Sequence, residues 1–139
     1  MTTLDANVLI SLWDSNPSIT ESASRECEHF QQIGAIGICG PVFSELLGFP
    51  GRTDSEIRQL LSSASILVDW NLIEPDWQAA GQAYQGYVDR RRKSGGGLPR
   101  RMATDFLVGA YAYVRGYTLL TLDKGLYRAA FPNLKIESF

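Results

Sequence analysis

Histidine is almost missing from this chain: His29 is the single one among 139 residues. That scarcity removes several chemistries. A Ser-His-Asp or Cys-His nucleophilic site would have to be built on His29. It lies in Ser24-Arg25-Glu26-Cys27-Glu28-His29-Phe30, a polar helical stretch that predicts a solvated side chain. A histidine-rich zinc site is excluded, and a mixed Cys/His site lacks ligands at useful spacing. Cysteine is scarce too. Cys27 and Cys39 form no C-x-x-C pair, and two buried reduced thiols are expected rather than a disulfide. No run is apolar and long enough to span a bilayer, and no basic segment precedes the N-terminal apolar run as a signal peptide requires. The expectation is a soluble cytoplasmic protein with no membrane partner. Surplus positive charge is also absent. Thirteen Lys and Arg against 15 Asp and Glu give a formal charge of −2, which excludes a globally basic nucleic-acid binder but not a local basic patch.

What is present suits a packed domain. Hydrophobic residues make up 45% and charged residues 20%, enough to build a core and too few charges for wholesale disorder. One domain over residues 1–139 is expected. Thr2-Thr3-Leu4 starts extended, and Asn7 to Trp13 reads as a short helix ended at Asn16-Pro17. Ser18 with Glu21 predicts a capping box and a helix from about 19 to 32, stopped at Gly34. Ala35 to Cys39 reads as a strand, and Val42 to Phe49 as a helix broken by Pro50-Gly51. Thr53 with Glu56 caps another helix to about Ala64, followed by a strand over 65–70. Pro75 opens a long helix to about 93. After the Ser94-Gly95-Gly96-Gly97 loop, Pro99 is expected to open a helix to Arg115, with Ala103, Leu107, Ala110 and Val114 as its core stripe. A strand over 117–121, a helix over 124–130 and an edge strand over 134–136 complete the chain. Strands alternating with helices predict an α/β fold, a mainly parallel sheet with helices on both faces.

Four acids sit at or near the ends of apolar elements: Asp5, Glu45, Asp105 and Asp123. A carboxylate beside core is costly unless it is paired or holds a metal. In an open α/β sheet, ligands collect beyond the carboxyl ends of the strands. Asp5 ends the first strand and Asp123 follows the strand ending at Thr121, so neighbouring strands would bring them to one crevice. Glu45 and Asp105, each on a helix, are expected to reach it. Oxygen ligands without His or Cys select hard cations, Mg²⁺ or Mn²⁺. Such a site suits phosphoryl transfer, because the ion activates water and stabilises a leaving oxygen. Each acid also has an ordinary structural explanation. Asp5 and Asp123 could cap helices, Glu45 could be solvated, and Asp105 could pair with Arg101.

The motifs Leu4-Asp5-Ala6-Asn7-Val8-Leu9-Ile10, Pro41-Val42-Phe43-Ser44-Glu45-Leu46-Leu47, Met102-Ala103-Thr104-Asp105-Phe106-Leu107-Val108-Gly109-Ala110 and Thr121-Leu122-Asp123 occur in that order over essentially the whole chain. The set resembles the PIN-domain ribonucleases, and among them the VapC-like toxins of toxin–antitoxin pairs. That resemblance implies a PIN-like three-layer sandwich and Mg²⁺- or Mn²⁺-dependent endonucleolytic cleavage of RNA, with transfer RNA or another structured RNA as the expected substrate. It implies Asp5, Glu45, Asp105 and Asp123 as catalytic metal ligands, with Asn7 and Thr121 supporting them. It also implies a homodimer and an inhibiting antitoxin. One departure stands out. Members often carry an acidic or aromatic residue two or three positions after the last Asp, where this chain has Lys124-Gly125-Leu126.

Arg90, Arg91, Arg92, Lys93, Arg100 and Arg101 flank the glycine loop and are expected to form an RNA-binding rim, although a run of cations also suits a helix C-terminus. Trp13, Leu46, Leu47, Phe49 and Trp77 are expected to be mostly core, any exposed together marking a dimer or antitoxin surface. Other α/β readings remain: a receiver-type phosphoacceptor switch, for which the first strand lacks an acidic pair, and a haloacid-dehalogenase-like phosphatase, for which Asp5-Ala6-Asn7 lacks the second Asp. A non-catalytic interaction module of the PIN fold is the main alternative to an enzyme.

Overall fold

The computed structural model describes residues 1–99 and 101–139. Among these, the chain alternates as expected: β1 (Thr2–Leu4), α1 (Ala6–Leu12), α2 (Pro17–Ile33), β2 (Ile36–Cys39), α3 (Gly40–Leu47), α4 (Asp54–Ser63), β3 (Leu67–Asp69), α5 (Glu74–Lys93), α6 (Thr104–Arg115), β4 (Thr118–Leu120), α7 (Lys124–Ala130) and β5 (Lys135–Glu137). The five strands form one parallel sheet in the order β3-β2-β1-β4-β5. Every residue of β1 and β2 is buried. Successive residues of a strand point to opposite faces, so burial of all of them means that helices cover both faces. The edges differ: Leu67 of β3 is 56% exposed.

The topology sets up the site. From β1 the chain moves outward to β2 and β3, then returns to place β4 on the other side of β1. Chain direction across the sheet reverses between β1 and β4, which opens a crevice beyond their carboxyl ends. Thr3 pairs with Leu119 and Leu4 with Leu120. The Asp5 N–H continues the ladder to the Leu120 carbonyl at 3.0 Å.

Local signals explain most boundaries. The Thr53–Glu56 capping box forms, with the Thr53 N–H donating to Glu56 at 2.7 Å and the Glu56 N–H to the Thr53 hydroxyl at 3.2 Å. Gly116 ends α6 at φ 67, a left-handed conformation that glycine adopts without steric cost. Three expectations fail. The Ser18–Glu21 box does not start α2. Asn16 accepts from the Ser18 N–H at 3.1 Å and Pro17 takes the first turn, so Asn16-Pro17 opens a helix rather than only closing one. Helix α6 starts at Thr104, not Pro99. Its core stripe is also different: Ala103 is exposed, Leu107 and Val114 are half-buried, and Phe106, Val108, Gly109, Ala110, Tyr111 and Ala112 are buried. A helix enclosed nearly all round shows no single apolar stripe.

Helix α5 packs along α6. Asp76, in the first turn of α5, is wholly buried and accepts from Arg115 Nη1 at 2.6 Å and from the Ile73 N–H at 2.9 Å. Arg115 also donates to the Asn71 carbonyl at 3.2 Å, and its guanidinium lies 4.1 Å above the Tyr111 ring centre. The Tyr111 hydroxyl donates to Asp69 at 3.0 Å, so one arginine ties β3, α5 and the end of α6 together. In mid-α6, Gly109 leaves no space: a Cβ there would overlap the ring of Phe131, the residue that follows α7.

Candidate active site

The four predicted acids line a single hollow of about 420 Å³ at the carboxyl ends of the strands, together with Asn7, Ile10 and Phe49. Asp5 is the most enclosed, at 3% exposure. It is also the N-cap of α1, so its capping explanation and its place in the pocket hold together. One carboxylate oxygen accepts from the Ala6 N–H at 2.8 Å. The other accepts from the Thr121 hydroxyl at 2.7 Å and the Asn7 amide at 3.1 Å. Thr121 uses its full capacity. It donates to Asp5 and accepts from the Asp123 N–H at 3.0 Å and the Asn7 amide at 3.3 Å. Asn7 closes the circuit by accepting from the Leu122 N–H at 3.1 Å. Asn7 and Thr121 thus fix both the Asp5 carboxylate and the turn carrying Asp123.

Glu45 comes from α3 and is half-buried. Asp105 lies in the first turn of α6, where the helix dipole favours a negative charge. It forms no ion pair with Arg101, so that structural explanation is not realised. Asp123 is exposed and makes no side-chain cap to α7, so its capping explanation fails as well.

The site concentrates negative charge. Among the described residues, none of the four acids has a cationic partner. Burial raises the Asp5 carboxyl above the ordinary carboxylate range, the bonds from Thr121 and Ala6 pull it back, and Asp123 adds repulsion. Burial, then Asp105 and Asp5, push Glu45 up to about 7. Asp105 is raised by burial and by Asp5. Such a set is expensive to ionise unless a cation arrives.

The sequence reading missed Tyr127. It is 1% exposed, and its hydroxyl donates to Asp105 at 3.3 Å and lies close to Asp5. Burial and the two carboxylates hold the phenol far above its ordinary range, so it remains a donor. The only available signal was its place one turn after Asp123, beyond the positions where the family's aromatic residue was sought. Ile10 and Phe49 give the hollow an apolar wall that the carboxylate pattern does not announce.

The donor set fits a hard divalent ion, being all oxygen, negatively charged and without a counter-ion among the described residues. Among the described residues, however, no three His, Cys, Asp or Glu side chains stand close enough to grip one ion together. The arrangement is an open basin rather than a cage. That suits Mg²⁺ or Mn²⁺, since Mg²⁺ keeps several waters and needs only one or two carboxylates.

A family model for the PIN domain matches residues 2–132. This chain belongs to the PIN-domain family. PIN folds among solved structures superpose over nearly its whole length. VapBC-1 from nontypeable Haemophilus influenzae has a TM-score of 0.67 at 17% identity, covering 99% of this chain and 96% of that one. VapBC2 from Rickettsia felis, solved bound to a DNA fragment from its promoter, has a TM-score of 0.65 at 18% identity, with 99% and 98% covered. A toxin–antitoxin complex from Klebsiella pneumoniae has a TM-score of 0.56 at 16% identity, with 96% and 95% covered. No curated protein matches the chain.

The other expected residues fall elsewhere in this PIN domain. Arg90, Arg91, Arg92 and Lys93 form the exposed last turn of α5 and do not line the acidic hollow. Arg101 is exposed beyond them, and Arg100 lies outside the described residues. Of the five large apolar residues, Leu46 is core, whereas Leu47, Phe49 and Trp77 are exposed. Trp13 is half-buried beneath Arg52, whose guanidinium lies 4.9 Å from the ring centre. His29 is exposed, and Cys27 and Cys39 are buried free thiols, as expected. No helix of the described residues is long and apolar enough to cross a membrane.

Proposed function

We propose that this PIN domain is a Mg²⁺- or Mn²⁺-dependent endoribonuclease and the toxin of a toxin–antitoxin pair. The observation that carries the reading is the gathering of Asp5, Glu45, Asp105 and Asp123 around one hollow with no cationic partner among the described residues. Asp5 and Asp105, the inner pair, would hold the ion directly. Glu45 and Asp123 would meet it directly or through its waters. When bound, the ion supplies charge neutralisation and a water of lowered pKa. The chain's own residues do the positioning. Thr121 and Asn7 fix the Asp5 oxygens, and Tyr127 holds Asp105 by its hydroxyl. Near neutral pH Glu45 carries a proton part of the time, which ion binding displaces. Ile10 and Phe49 shelter one side of the hollow from water.

RNA is the substrate in this reading, as transfer RNA or another structured RNA, and the cationic end of α5 supports it by offering phosphate contacts beside an acidic centre. An antitoxin partner is supported by the toxin–antitoxin complex sharing this fold. A homodimer in the cytoplasm completes the proposal. The test is incubation of a purified RNA panel, transfer RNAs included, with Mg²⁺, with Mn²⁺ and with chelator. Cleavage that requires either ion and disappears in Asp105→Asn supports the reading. No cleavage of any RNA, or cleavage indifferent to chelator and to Asp105→Asn, sinks it. Copurification of a small protein encoded beside this one, with loss of cleavage in the complex, tests the pairing. A monomer in concentrated sedimentation runs counts against the dimer.

A further inference from the structure

Outside the acidic basin, a second groove of about 340 Å³ runs between the last turns of α5, the first turn of α6 and α7. Its walls are mostly carbon: Tyr87, Phe106, Leu126 and Ala129. The Tyr87 and Phe106 ring centres lie 5.5 Å apart, and Tyr84 supports Phe106 from 5.6 Å. Arg90 and Arg91 stand at the rim. We infer that this groove is a subsite for one unstacked base of a single-stranded stretch of RNA, a deepening that rests on the ribonuclease reading.

Three observations lead there. The first is position. Asp76 at the start of α5 meets Arg115 at the end of α6, while Tyr84 and Tyr87 near the end of α5 meet Phe106 at the start of α6. The two helices are therefore antiparallel, and the basic last turn of α5 stands at the end of α6 that carries Asp105. Phe106 follows Asp105 directly, and Leu126 precedes Tyr127, whose hydroxyl meets Asp105. Groove and basin thus flank the same junction of α6 and α7, so one strand crossing that junction would meet both.

The second is chemistry. A base offers a flat apolar face to aromatic and aliphatic walls, and its phosphate offers charge to a cationic rim. Arg90, Arg91, Arg92 and Lys93 in one helical turn match that pairing. An apolar protein side chain would use the walls and leave the cations unanswered. The third is preorganisation. Arg91 donates from Nε to the Gly97 carbonyl at 2.8 Å and from Nη1 to the Tyr87 hydroxyl at 3.1 Å. Its guanidinium is held beside the groove, with the rest of its five N–H donors left for phosphate.

The test is fluorescence anisotropy with the full chain in Ca²⁺, with intact strands verified by gel. The probes are a labelled single-stranded RNA and the same strand with abasic riboses. The unaltered protein is expected to bind the intact strand about tenfold more tightly. Ala129→Trp, an exposed position that fills the groove, is expected to remove that preference and leave abasic affinity unchanged. Arg92→Ala is expected to weaken both strands equally. Equal affinity of the unaltered protein for both strands, with RNA cleavage intact, overturns the subsite alone. Binding of neither strand with cleavage of the RNA panel intact also overturns the subsite alone, whereas binding of neither strand with no cleavage of any RNA sinks the ribonuclease reading and the subsite together. Retention of the preference in Ala129→Trp alongside lost inhibition by a partner protein overturns the subsite and assigns the groove to that partner.

Discussion

Acids gather around both ends of helix α6, and the two groups are built on opposite principles. At its C-terminal end, buried Asp76 is answered by Arg115 at 2.6 Å, and Asp69 receives the Tyr111 hydroxyl. At its N-terminal end, Asp105 shares a hollow with Asp5, Glu45 and Asp123, and among the described residues no cation reaches any of them. The first group is complete within the fold and ties elements together. The second has no such answer among the described residues. Burial of a carboxylate does not by itself mark a functional site. Burial without a counter-ion points to one, because the hydrogen bonds from Thr121 and Ala6 offset only part of the cost of burying Asp5.

Four experiments sharpen that contrast, from the largest expected effect to the smallest. Arg115→Met should destabilise the fold by about 3–5 kcal/mol in urea unfolding, because it strands Asp76 as a buried unpaired charge. Cleavage per folded molecule should not change. Equal stability with and without the guanidinium would mean that the pair is not structural. Asp105→Asn should act in the reverse sense. RNA cleavage should fall by a factor on the order of 100 to 1,000. Because the folded state holds Asp105 above its ordinary value, neutralising it should raise the melting temperature of the ion-free protein by about 3 °C. A drop in melting temperature would show that the acidic end is no less self-sufficient than the other.

Tyr127→Phe should weaken Mn²⁺ binding roughly tenfold in a calorimetric titration, as loss of an orienting partner commonly does, with little change in melting. Unaltered affinity would make the hydroxyl a bystander. The pH dependence is the gentlest test. Glu45 is raised from 4.5 to about 7, so in the ion-free protein its contribution to stability is full below about 4.5 and is lost as pH rises through 7. Ion binding needs the ionised form. Mn²⁺ affinity should therefore climb by up to about tenfold per pH unit toward 7 and then level off, a slope that Glu45→Gln abolishes.

The sequence announced this site better than it announced its surroundings. Asp5 and Asp123 could be placed because each follows an apolar strand run, and strand neighbours in a parallel sheet bring such positions together. Asn7 and Thr121 lie within two residues of those acids and came with them. Tyr127 did not, because a tyrosine on a short helix looks the same whether its hydroxyl meets solvent or a carboxylate. Whether four acids form a cage or a basin depends on distances that residue spacing does not encode. The start of α6 was misplaced because Pro99 resembles a first-turn proline, and its stripe was misread because packing on nearly every side erases the period. At Asn16-Pro17, one dipeptide closes a helix and opens the next, and the asparagine cap followed by a first-turn proline takes the place expected for Ser18.

The contact between Gly109 and Phe131 gives the molecule a lever. The aromatic edge rests where any side chain at 109 would intrude, and Phe131 closes the helix that holds Tyr127. A single added methyl would work as a wedge behind that helix, pressing on the element that carries the phenol and, at its cap, Asp123. The basin could thus be reshaped from a wholly hydrophobic position outside its lining, and a manganese titration of Gly109→Ala would show whether the wedge moves the helix or is simply absorbed.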